Sequence, residues 1–345
     1  MKAAVFQGIN QMAVEELVTP RAGIEDVVVA VAACGICGSD LHTYVHGSFV
    51  APGQVMGHEF VGTIVEAGPA VEGMAVGDRV TASPLQPCHA CPRCAEGRYN
   101  LCPKAWTQGI AYGKPGAFAE LVRIPGATRG TNVFPLGSDV TDEAGALAEP
   151  LAVAVHAVKL AEPIEGATAL VLGLGTIGQQ VAQTLKARGA GRVIGVDVST
   201  LRLQAAATLG ADTIDGSGGL AEALTAVLGE GDEIDVVFEC SGVPAVANEA
   251  LEQIRTGGTI VVLALYDDPV SFNPTVLVQK EIRMQGSIAY TGEDFADAVA
   301  LIEQGKVRDA PLITHRHPLA EITQAFETQL DKDRSLKVLV TPAGG

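Results

Sequence analysis

The chain has 345 residues, 48% of them hydrophobic and 4% aromatic, with a formal net charge of −17. At roughly 100–200 residues per domain the length fits about two domains, and the apolar share is ample for packed cores. The charge argues against nucleic acid as a partner, because neutralising phosphates takes clustered Lys and Arg. It argues equally against an anionic membrane surface, and its plain meaning is a soluble, self-repelling exterior. The start, Met1-Lys-Ala-Ala-Val-Phe-Gln-Gly, lacks the apolar core of a signal peptide. Gly, Asp or Glu interrupts every apolar run before it reaches spanning length. The expectation is a cytoplasmic protein with no membrane partner, whose clustered cysteines are metal ligands and not disulfides.

Along the chain, the first 125 residues predict short strands punctuated by Gly and Pro. Val27–Cys34 is a β-branched run, and Phe60–Glu66, Asp78–Ala82 and Phe118–Ile124 are further strands. Helical periodicity is weak, so a twisted, barrel-like β domain is expected. Cys34-Gly-Ile-Cys37 imitates a C-x-x-C pair and admits a redox or second zinc-knuckle reading. Cys34, however, ends an apolar strand, as a core residue would. Cys37 is followed by Gly38-Ser39-Asp40-Leu41-His42, a polar turn suited to an active site. A catalytic zinc takes about three protein ligands and keeps one position open. Cys37, His58 and one acid, Glu59 or Glu149, supply such a set, and the sequence does not rank the two acids.

Cys88, Cys91, Cys94 and Cys102 follow within a polar, Pro-rich loop. Four thiolates at this spacing are the ligand set of a closed tetrahedral zinc site, the alternatives being a redox cluster or an iron–sulfur site.

The texture changes near Thr141. Thr141-Asp-Glu opens a helix with a capping residue and acids in the first turn, and a second helix is expected after Pro150. From Thr168 strands and helices alternate. Ala169–Leu172, Arg192–Val196, Asp235–Cys240 and Thr259–Leu265 read as strands, with Ile177–Arg188, Leu201–Leu209 and Ala245–Ile254 as helices between them. That alternation builds a parallel sheet with helices on both faces. Gly173-Leu-Gly175-Thr176-Ile177-Gly178 lies where the first strand meets the first helix, the context a dinucleotide fingerprint requires. Its glycines permit a tight turn and close backbone approach, and the helix N-terminus faces the pyrophosphate. Asp197, nineteen residues past Gly178, is placed to bind the ribose hydroxyls, with Arg202 as a further ribose partner. The carboxylate would repel a 2′-phosphate, which favours NAD over NADP. After about residue 286 come helices at Glu293–Glu303 and Ile322–Gln329. The strand Leu336–Val340 has no obvious place in the nucleotide sheet and is expected to return to the first domain. The expected division is 1–150 with 287–345, and 151–286.

A structural metal, a candidate catalytic metal and a nucleotide site in one chain point to a zinc-dependent dehydrogenase. Cys37-Gly-Ser-Asp-Leu-His42, Gly57-His-Glu59, the cysteine quartet and Gly173–Gly178 also stand in the order of the zinc-containing medium-chain dehydrogenase/reductase family, which the chain resembles over essentially its whole length. Glu149-Pro-Leu-Ala-Val-Ala-Val-His-Ala-Val158, Gly97-Arg-Tyr-Asn-Leu-Cys-Pro103 and Gly286-Ser-Ile-Ala-Tyr290 resemble its polyol and vicinal-diol branch, in which Glu replaces the second catalytic cysteine. The resemblance implies a GroES-like β-barrel catalytic domain, a Rossmann doubly wound sheet and a cleft between them. It implies two zinc ions per chain, NAD as cofactor, a small alcohol or diol as substrate, and a homodimer or homotetramer. Ser39 and His42 match the family's proton-relay positions. Glu59 and Glu149 would alternate as direct ligand and water holder. Two other readings stay open: a threonine-dehydrogenase-like activity on an amino alcohol, and a non-catalytic NAD-binding protein.

Overall fold

The computed structural model describes residues 1–266 and 268–342. The chain divides into two compact units, one made of Met1–Ala152 with the segment from Tyr290 onward, the other of Val153–Ala289.

The first unit is built on the strand Val27–Gly35. It is Val- and Ala-rich and buried along almost its whole length, as β-branched residues in a central strand are. It pairs antiparallel with Glu59–Ala67 and with Leu121–Ile124. At its end, Leu339 and Val340 of the strand Lys337–Thr341 lie opposite Gly35 and Cys34. The sheet continues through Arg79–Ala82 to Val133–Pro135 on one side and through Ile313–Pro318 on the other. The C-terminal segment thus completes the first unit, and its Phe326 and Val340 share a core with Phe6, Phe60, Phe118 and Ile124. Full burial of each such side chain contributes about 1.5–3 kcal/mol.

Three local expectations are corrected here. Gly38–His46 is a helix, not a polar turn, with Cys37 at its N-cap. Asp40 makes the start possible: its Oδ2 accepts the Cys37 N–H at 3.0 Å, and Gly47, at φ 68°, ends the helix. The helix is short and capped by a residue outside the Ser/Thr/Asp/Asn set, so no usual start signal marks it. The second helix, Ala148–Leu160, begins before Pro150; in the first turn a missing N–H costs nothing. The cysteine segment is not a plain loop but carries short helical turns at Pro92–Ala95, Tyr99–Leu101 and Pro103–Thr107. Thr141 caps as expected, its Oγ1 accepting the Ala144 N–H at 3.0 Å.

The second unit holds a six-stranded parallel sheet. Its order is Asp212–Asp215, Arg192–Asp197, Thr168–Leu172, Ile234–Glu239, Ile254–Val262, Arg283–Gly286. The two outer strands, four residues each and largely polar, give no apolar run to read. The strand order reverses beside Thr168–Leu172, the position at which doubly wound sheets bind nucleotides. Among the described residues no helix is long and apolar enough to cross a membrane.

Candidate metal and nucleotide sites

The sulfurs of Cys88, Cys91, Cys94 and Cys102 all lie within 4.8 Å of one another. Cys91 and Cys94 Sγ are 3.6 Å apart, close to the edge of about 3.8 Å that a tetrahedron with zinc–sulfur bonds of about 2.3 Å requires. The Cys88 N–H points at Cys102 Sγ, 3.3 Å away. Donor type and spacing both fit a closed zinc site.

The second cluster joins elements distant in sequence. Cys37 comes from the helix N-cap, and His58 and Glu59 from the start of the next strand; their ligand atoms again lie within 4.8 Å. His58 and Glu59 are buried. His58 Nδ1 has no hydrogen-bond partner and stands 3.7 Å from Asp40 Oδ1. Burial opposes a charge on His58, but Asp40, Cys37 and Glu149 outweigh it and hold the imidazole well above its ordinary value. A thiol, an imidazole and a carboxylate converging in a buried place, with anions crowding the imidazole, fit a cation such as zinc.

Glu59, not Glu149, belongs to this cluster of ligand atoms. Glu149 is buried and accepts a 2.6 Å hydrogen bond from the Tyr290 hydroxyl. Burial, aided by Glu59 and opposed by His58, pushes its carboxyl up to about 7. Glu59 is itself engaged: Lys337 Nζ donates to its Oε2 at 2.6 Å and to the Ile36 carbonyl at 3.0 Å. Gly35 makes room for that carboxylate, since a Cβ there would lie 2.1 Å from Glu59 Oε2.

Ser39, in the first turn of the helix, shares a 3.0 Å hydrogen bond with the Tyr112 hydroxyl. The Tyr112 ring lies 5.4 Å from the His58 ring and meets Trp106 edge-on at 5.0 Å. Burial, with Cys37 and Asp40 nearby, keeps the phenol well above its ordinary pKa, so it carries a proton. His42, one turn beyond Ser39, packs its ring against His46 and Phe49. Sequence reasoning did not assign Lys337, Tyr112, Trp106 or Asp40 to the site. Of these, only Asp40 lay within a motif already singled out.

In the second unit Gly173 leaves the first strand at φ 85°, and a Cβ on it would strike Ser241 Cα at 2.7 Å. A Cβ on Gly178 would lie 1.9 Å from the Gly173 carbonyl, whereas Gly175 faces open space. Thr176 and Ile177 open the helix Thr176–Ala187. Turn, close packing and an open approach are the three requirements of a pyrophosphate loop. Asp197 ends the second strand. Its Oδ2 accepts the Leu174 N–H at 2.7 Å, and its Oδ1 the N–H groups of Val198 and Ser199 at 2.8 and 2.9 Å. Arg202 Nη1 stands 3.6 Å from Oδ2. The carboxylate therefore ties the glycine loop to the strand end.

Residues 23–136 match the alcohol dehydrogenase GroES-like domain and residues 176–304 the zinc-binding dehydrogenase domain. The chain is 34% identical to a sorbitol dehydrogenase of Halalkalibacterium halodurans, over 99% of both chains. The solved 2R,3R-butanediol dehydrogenase of Bacillus subtilis superposes with a TM-score of 0.88 at 32% identity, over 99% of each chain. An alcohol dehydrogenase (rspB) of Escherichia coli CFT073, complexed with NADH, superposes with a TM-score of 0.89 at 29% identity, again over 99% of each. The chain belongs to the zinc-containing medium-chain dehydrogenase/reductase family, in the branch that holds sorbitol and butanediol dehydrogenases. It is an oxidoreductase of the alcohol dehydrogenase type that works with zinc and a nicotinamide cofactor.

Proposed function

We propose that the protein oxidises a secondary alcohol bearing a neighbouring hydroxyl to the ketone, with NAD as the preferred cofactor. The observation that carries this reading is the convergence of Cys37, His58 and Glu59 with Ser39 and its partner Tyr112. Cys37, His58 and Glu59 are the residues that would hold the catalytic zinc, with Glu149 behind them. A zinc held there would supply Lewis-acid polarisation of a substrate hydroxyl, lowering its pKa. Gly173–Gly178 and Asp197 are the residues that would hold NAD, which would supply the hydride acceptor.

The chain's own residues orient the alcohol and remove its proton. Ser39 Oγ, two residues from Cys37, takes the hydroxyl hydrogen bond and is the first stop for the departing proton. His42 lies three residues on, on the same side of the helix, and carries the path towards solvent. The all-thiolate site is structural, because four protein ligands leave no open position. The similarity to sorbitol and butanediol dehydrogenases supports a polyol or diol substrate.

The deciding experiment is an NADH-formation screen over 2,3-butanediol, sorbitol, simple secondary and primary alcohols, and threonine. A diol or polyol should give the highest kcat/KM. Threonine as the clearly best substrate would replace the diol reading with an amino-alcohol one. NAD binding without reduction by any alcohol would remove the enzyme reading.

A further inference from the structure

Tyr112 is placed with unusual care. The residue before it, Ala111, has φ 72°, a conformation that non-glycine residues avoid and that persists where its surroundings impose it. The imposing contacts are visible. Ala111 N–H donates to the Lys114 carbonyl at 2.9 Å, and Gly113 and Lys114 N–H both donate to the Gly109 carbonyl at 2.9 Å. Gln54 Nε2, sixty residues earlier in the chain, holds the Lys114 carbonyl at 2.7 Å. Gly113 has no room for a side chain, since a Cβ would lie 1.9 Å from the Thr107 carbonyl. This cross-tied turn delivers one polar atom, the Tyr112 hydroxyl, to Ser39 Oγ at 3.0 Å. Trp106 fixes the ring from the side.

Two protein hydroxyls about one hydrogen-bond length apart therefore stand beside the Cys37–His58–Glu59 cluster. The two oxygens of a vicinal diol in its gauche form are separated by about the same length. When the reacting hydroxyl is held at Ser39, the neighbouring hydroxyl reaches Tyr112, so a pair of substrate oxygens meets a pair of protein oxygens. A monoalcohol leaves the phenol without a substrate partner in a partly buried place.

We propose that Tyr112 is the specificity-determining residue for the neighbouring hydroxyl, selecting vicinal diols over simple secondary alcohols through its phenolic oxygen. This rests on the dehydrogenase reading above and sharpens it to one atom.

The test compares kcat/KM for 2,3-butanediol and 2-butanol, with NAD and zinc-replete enzyme, in the wild type and Tyr112→Phe. NADH binding by fluorescence and zinc content serve as controls for folding. The wild type should prefer the diol by about tenfold, the scale of one added neutral hydrogen bond. Tyr112→Phe removes the Ser39 partner for both substrates, but it should lose most of that preference, with kcat/KM falling severalfold further for 2,3-butanediol than for 2-butanol. Equal losses on both substrates, or no loss on either, would overturn the proposal. So would a wild type that oxidises both equally well, a result that needs no variant and leaves the dehydrogenase reading intact. A wild type inactive on every secondary alcohol would instead remove that reading and this one with it.

Discussion

Lys337 Nζ lies 2.6 Å from Glu59 Oε2, and both side chains are almost wholly inaccessible, at 3% and 1%. The pair links the C-terminal strand to a candidate metal ligand. Burial alone would lower the Lys337 pKa, but Glu59 and Cys37 outweigh it and raise it above the ordinary 10.5. The ammonium therefore stays charged throughout the physiological range. Its contribution to stability is complete below the unfolded-state value and fades only as the pH rises through the raised folded-state value.

Removing one partner of a buried pair strands the other charge. With the metal removed, Lys337→Met should destabilise the protein by about 3–5 kcal/mol at neutral pH. The double variant Lys337→Met/Glu59→Gln should recover a substantial part of that loss, because no charge is left unpaired. Urea unfolding of the three proteins measures both. A single variant as stable as the wild type would mean that Glu59 finds another partner.

The two metal clusters should respond differently to loss of one thiol. Metal analysis of the wild type should give two zinc ions per chain. Cys91→Ser should lose one and unfold or aggregate, since a closed site contributes folding energy directly. Cys37→Ser should also lose one but keep the wild-type melting behaviour, with activity abolished. A stable, active Cys37→Ser would take the catalytic metal away from this cluster.

What the sequence made visible follows from how far apart the participants lie. The cysteine quartet is local, so spacing alone exposes it. Gly173–Gly178 and Asp197 are local too, because one strand, one helix and the next strand fix their relation. Cys37 and His58 were recognisable by residue type, but that a Glu59 oxygen lies close to them is visible only in three dimensions. Lys337 is 278 residues from Glu59, Tyr290 is 141 from Glu149, and Tyr112 is 73 from Ser39. No periodicity or spacing connects such pairs; strand pairing and packing do. The helix after Cys37 escaped for the opposite reason, being local but lacking the usual capping residue.

Glu149 gives the metal-free protein a definite pH dependence. Its carboxyl is raised from 4.5 to about 7, so the folded state binds its proton more tightly than the unfolded chain does. Its contribution is therefore greatest below the unfolded value, and stability falls as the pH rises between the two values. Chelator-treated protein should melt progressively lower from pH 5 to pH 7.5, and Glu149→Gln should flatten that slope. A slope unchanged in the variant would assign the effect to another group.

Asp197 should set the cofactor preference, and the structure decides which substitution tests it. Because Asp197 accepts three backbone N–H groups from the glycine loop and the strand end, replacing it with Gly removes a structural anchor together with the charge. Asp197→Asn removes the charge that repels a 2′-phosphate and keeps one oxygen acceptor while trading the other for an NH2 donor, a smaller loss of anchoring than Gly. The Asn variant should lose NAD efficiency and raise the ratio of kcat/KM with NADP to that with NAD by about tenfold, the size of one charge-assisted contact. Arg202, 3.6 Å from the carboxylate, is then released to meet the added phosphate. Asp197→Gly should show the same shift in ratio beneath a larger fall with both cofactors, visible also as a lower melting temperature. Steady-state kinetics with both cofactors, run beside thermal melts, separates the two effects. An unchanged ratio in the Asn variant would show that the strand-end carboxylate only holds the glycine loop and does not read the ribose.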